Sequence, residues 1–142
     1  MPDVLKPRIM GIDYGQVRVG VAVSDPLGYT AQPVDTFDAR DAERLVRQIG
    51  QVCDQRAVQT IVVGLPLNMD GSEGPSAQEA RRFAELLEER LGRKVELWDE
   101  RLSTMRAERT MLDADLSRAR RRKHRDRMAA QFILQGYLEA HR

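Results

Sequence analysis

Three acidic residues far apart in the chain, Asp13, Glu100 and Asp126, are of a type and placement that could hold divalent cations in common. Asp13 ends the apolar run Arg8-Ile9-Met10-Gly11-Ile12 and opens the turn Tyr14-Gly15-Gln16-Val17-Arg18, after which a second apolar run, Val19 to Val23, begins at once. A carboxylate at the end of a central strand is costly unless something cationic shares the site. Glu100 falls just after the run Lys94-Val95-Glu96-Leu97-Trp98. Asp126, Ala130, Ile133 and Tyr137 follow one another at helical spacing, so they share a face, with Asp126 at its start. Hard cations such as magnesium and manganese take oxygen ligands and leave positions open for water and phosphate. A pair of them about 4 Å apart serves both the attacking and the leaving oxygen of a phosphodiester. The chemistry this set could do is metal-assisted phosphodiester cleavage with two ions.

Each acid also has a plainer reading. Asp13 could cap the turn after its strand. Asp126 could answer a helix dipole or pair with Arg125 or Arg127. Glu100 could pair with Arg101 or Arg106, and Asp99 competes with it because neighbours on a strand point opposite ways. The coincidence of the three at one place has to come from the elements that carry them.

Residues 8–13 and 18–24 read as two strands joined by a short turn, and Tyr29 to Phe37 as a third that Pro33 places at an edge. Asp38 can cap a helix with Leu45, Val46, Ile49, Val52 and Cys53 on its apolar face. The β-branched run Thr60 to Gly64 looks like a strand buried on both faces. Ser76 and Glu79 form a capping-box signature for a helix reaching Leu91, which Gly92 ends. Residues 94–98 give a fifth strand. Ser103 or Thr104 can cap a short helix through Leu112, and a last helix runs from about Lys123 to Ala140. Three early strands with short links argue for antiparallel pairing, and the later alternation of strand and helix for parallel crossovers. The expected fold is α/β, a mixed five-stranded sheet with helices on both faces. The carboxyl ends of the first strand and the two late ones then meet at one edge, where open α/β sheets keep their sites.

The 142 residues suit one domain spanning 1–142, long enough to bury a core. With a formal net charge of +1 the protein is no general polycation. Its basicity is local instead: Arg118, Arg120, Arg121, Arg122, Lys123, Arg125 and Arg127 stand almost together, a pattern for one anion-facing surface. The single cysteine, Cys53, excludes an internal disulfide, and with two histidines the chain cannot build a structural zinc site. No apolar stretch is of bilayer length and no signal-peptide core opens the chain, so the expectation is a cytoplasmic protein without a membrane partner.

These blocks resemble a known family. Gly11-Ile12-Asp13-Tyr14-Gly15 with Arg18 to Asp25, Ile61 to Ser72, Asp99-Glu100-Arg101-Leu102-Ser103-Thr104, and Asp126 followed by Ala129-Ala130, Ile133-Leu134-Gln135 and Tyr137-Leu138 are similar, in order and over essentially the whole chain, to the YqgF (RuvX) family. The resemblance implies the RNase H-like fold shared with RuvC-type junction resolvases. It implies Asp13, Glu100 and Asp126 as the catalytic, metal-binding acids, with Mg2+ or Mn2+ as cofactor. It also implies a nuclease of the kind assigned to Holliday-junction resolution and to maturation of the 5′ end of pre-16S rRNA. The arginine block is denser here than that family pattern leads one to expect.

Around the acids, Asn68, Ser72 and backbone amides of the loop Leu65 to Gly74 could hold a phosphate, with the helix N-terminus at Ser76 behind them. Arg18 could reach a phosphate beside Asp13, and Arg101 adds a cation beside Glu100. Arg120, Arg121, Arg122, Lys123 and Arg125 read as an electrostatic clamp on a nucleic-acid backbone. Tyr14 and Tyr29 could stack on bases, whereas Trp98, inside a strand, is better read as core. Partners would be branched DNA or precursor rRNA, and paired cuts in a four-way junction would call for a homodimer. Two other readings compete. A binding or ribosome-assembly factor could use the basic segment without catalysis. Gly-Ile-Asp-x-Gly also resembles the first phosphate loop of actin-like ATPases and sugar kinases, though the chain has no room for their second domain.

Overall fold

A computed structural model describes residues 6–102 and 118–141, the side chains of 118–127 excepted. Strands β1 (Arg8–Tyr14), β2 (Arg18–Ser24) and β3 (Ala31–Asp38) come first, then helix α1 (Ala42–Arg56), β4 (Val58–Leu65), α2 (Pro75–Leu91) and β5 (Lys94–Asp99). A single 3-10 turn, Glu100–Leu102, follows β5, and α3 (Arg118–Ala140) ends the chain. The sheet order is β3-β2-β1-β4-β5. β1 pairs antiparallel with β2, and β2 with β3. β1, β4 and β5 run parallel. The mixed sheet expected from sequence is present, with the carboxyl ends of β1, β4 and β5 on one edge.

Helices cover both faces because alternate residues of the central strands are apolar on both sides. Met10, Ile12, Val19, Val21, Ile61 and Val63 pack with the apolar face of α1 and α2. Val62 and Ala22 face the other way, onto α3 through Ile133, Tyr137, Ala130, Leu134 and Leu138. Cys53 is fully buried in the first of these cores, and burial pushes its thiol up to about 11. Pro33 does sit on an edge strand, beside a register shift in the β2–β3 pairing. Among the described residues no helix is long and apolar enough to cross a membrane.

Local chemistry moved several boundaries. β3 starts at Ala31 rather than Tyr29 because the Asp25 carboxylate accepts from the amides of Tyr29 and Thr30 and closes them into a turn. Asp41, not Asp38, caps α1 by accepting from the Arg44 amide; Asp38 ends β3 opposite Arg18. Gly74 begins α2 without a side-chain cap. Ser76 lies inside the first turn, and Glu79 accepts from Gln16 Nε2 instead of closing a capping box. Within the described residues α3 begins at Arg118, five residues ahead of the expected start near Lys123. The helix expected from Ser103 or Thr104 to Leu112 lies outside the described residues.

Candidate active site at the carboxyl edge of the sheet

Gly11 fixes which way Asp13 faces. A Cβ on Gly11 would lie 2.6 Å from Leu134 Cβ and 2.9 Å from the Ala130 carbonyl oxygen, so this face of β1 is the one under α3. Side chains alternate along a strand, so Asp13, two residues on, shares that face. Asp13 is half-buried and opposite Gly20 of β2.

Glu100 reaches the same face by another route. β1 and β4 are in register through Gly11 with Val62 and Ile12 with Val63, which puts Gly64 beside Asp13. A Cβ on Gly64 would meet Glu100 Cγ at 3.0 Å and Oε1 at 3.1 Å, and Ile133 Cδ1 at 2.5 Å. The Glu100 carboxylate therefore lies over Gly64, at the strand position next to Asp13. The competition between Asp99 and Glu100 resolves at the same time. Asp99 is taken by the Arg101 guanidinium, with Nη2 to Oδ2 at 2.7 Å, and that hydrogen bond holds its carboxyl below the usual carboxylate range.

Asp126 belongs to α3, one turn ahead of Ala130, and Ala130 is the residue whose carbonyl lies against Gly11. Its side chain, like those of Arg120, Arg121, Arg122, Lys123 and Arg125, lies outside the described residues. α3 lies over β1 at Ala130 and Leu134, one and two turns beyond Asp126. Among the described residues no cluster of three metal-ligating side chains forms. Two carboxylates on one face at adjacent strand ends are a donor set that suits a hard divalent cation.

Around this pair the expected residues divide. Arg18 is exposed at the start of β2, on the same edge. Arg101 binds Asp99 and also donates to the Met69 carbonyl, so it ties the 65–74 loop to the segment carrying Glu100. Asn68 and Ser72 bond one another, and the hydroxyl and amide of Ser72 both donate to Asp70. The amides of Leu67, Asn68 and Gly71 donate to carbonyls of Leu65, Ser72 and Asn68. Four amides of the loop, those of Leu67, Asn68, Gly71 and Ser72, are therefore bonded within it. Tyr14 stacks on Phe83 at a centroid distance of 4.5 Å, on the face away from Asp13. Trp98 is packed against the Val62, Ile133 and Tyr137 cluster. Tyr137 donates to Glu96, and burial, helped by that bond, pushes the phenol up to about 12.

Sequence reading treats Gly64 as one more small residue in a buried strand, whereas its missing side chain leaves the room that Glu100 occupies. Alanine there is expected to keep the fold, because Ile133 Cδ1 and the Glu100 side chain are movable ends. Displacing the Glu100 carboxylate should nevertheless lower the cleavage rate by roughly a hundredfold, the scale of an ångström-size misplacement. Thermal melting beside a cleavage assay checks both halves.

The profile of a family described as "RuvX: Holliday junction resolvase" matches residues 7–140. A protein of Myxococcus xanthus named "Putative pre-16S rRNA nuclease" is 55% identical over 135 residues, covering 95% of this chain and 89% of its own. One of the same name from Clostridium botulinum is 50% identical over 132 residues, covering 93% of this chain and 96% of its own. Among solved structures, Thermus thermophilus RuvC in complex with a Holliday junction superposes with a TM-score of 0.60 at 12% identity, covering 96% of each chain. The fowlpox virus Holliday junction resolvase gives 0.54 at 14% identity, covering 94% of this chain and 99% of that one. At those identities the structural likeness speaks for the fold, that of RuvC-like, RNase H-like resolvases.

Proposed function

This chain belongs to the RuvX family of Holliday junction resolvases, and on that premise we propose that it is a divalent-metal-dependent endonuclease, one domain over 1–142, acting on structured nucleic acid in the cytoplasm. Its substrates would be four-way DNA junctions, the 5′ flank of pre-16S rRNA, or both. The observation that carries the reading is the pair Asp13 and Glu100, set side by side on one sheet face with only Gly64 beneath the second.

Asp13, Glu100 and Asp126 would hold Mg2+ or Mn2+, two ions in the full site. When bound, such cations make water a usable nucleophile and stabilise charge on the phosphate oxygens. The chain's own part is placement. β1 and the turn after β5 hold two carboxylates on one face, and α3 would bring the third acid to them. Arg101, clasped to Asp99 and to the Met69 carbonyl, holds the 65–74 loop and the Glu100 turn as one unit. Paired cuts across a junction would need two such sites, hence two copies of the chain.

Labelled branched DNA and precursor RNA, incubated side by side with magnesium, manganese or EDTA, test the proposal. Cleavage of either that needs the cation supports it. Binding of both with no cleavage under any cation would favour the non-catalytic assembly factor instead. Replacing Arg120, Arg121 and Arg122 by alanine should weaken binding across sequences and reduce the log-log salt slope by roughly 3, about one per lost phosphate contact. A titration of affinity against salt reads this directly, and an unchanged slope removes the block from the interface.

A further inference from the structure

Two glutamines of α3, a turn apart on one side of the helix, grip the start of β3. Gln135 Oε1 accepts from the Ala31 amide at 2.9 Å, and its Nε2 donates to the Tyr29 carbonyl at 3.2 Å. Gln131 Nε2 donates to the Ala31 carbonyl at 3.0 Å. A backbone N–H can only donate and a carbonyl can only accept, so the partners dictate which end of each side-chain amide faces them. The segment they hold is itself a firm anchor. The Asp25 carboxylate accepts from the amides of Tyr29 and Thr30 at 2.7 and 2.8 Å, and the Asp25 amide donates to the Thr30 carbonyl. Ala31 is buried.

The apolar contact between α3 and this side of the sheet is made of small side chains and two leucines: Ala22, Ala31 and Ala130 with Leu134 and Leu138, and Gly11 against Leu134. Such contact sets how close the helix lies, but burial has no direction of its own. A hydrogen bond has one, because it is lost outside a narrow range of length and angle. Three of them on one stiff rod fix its slide and its rotation. Gln135 stands nine residues after Asp126, roughly 13 Å of helix at about 1.5 Å per residue. On β2, Ser24 opposite Ala31 and Gly20 opposite Asp13 are four residues apart, roughly 13 Å of strand at about 3.3 Å per residue. The length of helix between the grip and Asp126 is thus comparable with the separation of Ala31 from the level of Asp13.

We propose that Gln131 and Gln135 are positioning residues for the third acid: their grip on Tyr29 and Ala31 sets how far α3 reaches, and with it the place of Asp126 relative to Asp13 and Glu100. The inference rests on the nuclease reading and deepens it, since a shared pair of ions needs oxygens from all three elements at once. The grip is at the edge of the sheet opposite the acids, so the glutamines act through the helix. A slide of about 1 Å at β3 moves Asp126 by as much, and misplacement on that scale costs about a hundredfold in rate.

Methionine at both positions keeps side-chain length and helix propensity while removing the hydrogen bonds. Two readouts, neither of them cleavage, follow Gln131→Met, Gln135→Met and the two combined in the full chain. In the first, a chain with Asp13→Cys and Asp126→Cys is bridged in metal-free buffer by dibromobimane, which fluoresces once both thiols have reacted; Cys53 is fully buried. The combined change should slow bridging severalfold. In the second, Mn2+ affinity is read from the electron paramagnetic resonance signal of the free ion. It should fall about tenfold with the combined change, the scale for residues that orient metal ligands, and not at all when the same change is made beside Asp126→Asn. No bridging in the parent, bridging that the methionines leave as fast, or an equal loss of Mn2+ affinity with and without Asp126 overturns the assignment. Should the combined variant melt below the working temperature, either single one, which keeps part of the grip, gives the same comparison. If the wild type neither binds Mn2+ nor cleaves, the nuclease reading falls, and the bridging arm still decides whether the glutamines place Asp126.

Discussion

Asp13→Asn is expected to abolish cleavage, by about three orders of magnitude or more, while affinity for nucleic acid falls little or rises. The substitution keeps shape and hydrogen-bonding size but removes the negative charge that a divalent cation needs. Asp13 and Glu100 occupy neighbouring positions on one face, so they act as a unit, and a unit loses nearly everything with one member. Glu100→Gln and Asp126→Asn should behave alike. Removing negative charge from a surface that meets phosphates lowers its repulsion of the substrate, which offsets any binding lost with the cation. Single-turnover cleavage under saturating enzyme, beside a binding titration, separates the two effects. Any of the three variants that cuts at the wild-type rate with magnesium or manganese shows that its acid is not part of the machinery.

Gly11→Ala is expected to cost about 3 kcal/mol of stability, at the upper end for overpacked cores. The added methyl would sit 2.6 Å from Leu134 Cβ and 2.9 Å from the Ala130 carbonyl oxygen. Both belong to the frame of α3 and neither can swing aside, in contrast with the movable groups above Gly64. The helix must lift from the sheet, which opens the cluster of Ala22, Ala31, Ala130, Leu134 and Leu138. A domain of this size should lose roughly 10 °C in melting temperature. Activity should fall with it, since α3 also carries Asp126. Urea unfolding of Gly11→Ala beside Gly64→Ala checks the contrast: the first loses stability, the second activity.

Much of this was legible in the chain itself. The run from Thr60 to Gly64 announced a strand covered on both sides, and the spacing of Ala130, Ile133 and Tyr137 announced the face of α3 that meets the sheet. Gly92 ended α2 in the left-handed conformation its type permits. Three kinds of fact were not legible. Caps depend on which of several nearby acids wins: Asp41 took α1 because Asp38 was held by strand pairing and by Arg40. The capping box at Ser76 and Glu79 yielded to a distant partner, Gln16, which sequence separation hides. The 65–74 loop has the composition of a phosphate cradle, yet the amides of Leu67, Asn68, Gly71 and Ser72 are bonded to its own carbonyls and to Asp70. The two acids on β1 and after β5 could be nominated from sequence, but their side-by-side setting needed the register of β1 with β4.

Cys53 offers a clock for the opening of the molecule. Fully enclosed and with its thiol held at about 11, it is inert to alkylating reagents while the main core stays shut. Its modification rate therefore counts excursions of α1 away from the sheet, and nothing else in the chain carries a thiol to confuse the count. An unmodified, full-length sample can be timed this way with and without DNA, RNA or manganese, so that any tightening of the fold by a bound molecule is read as a slower tick.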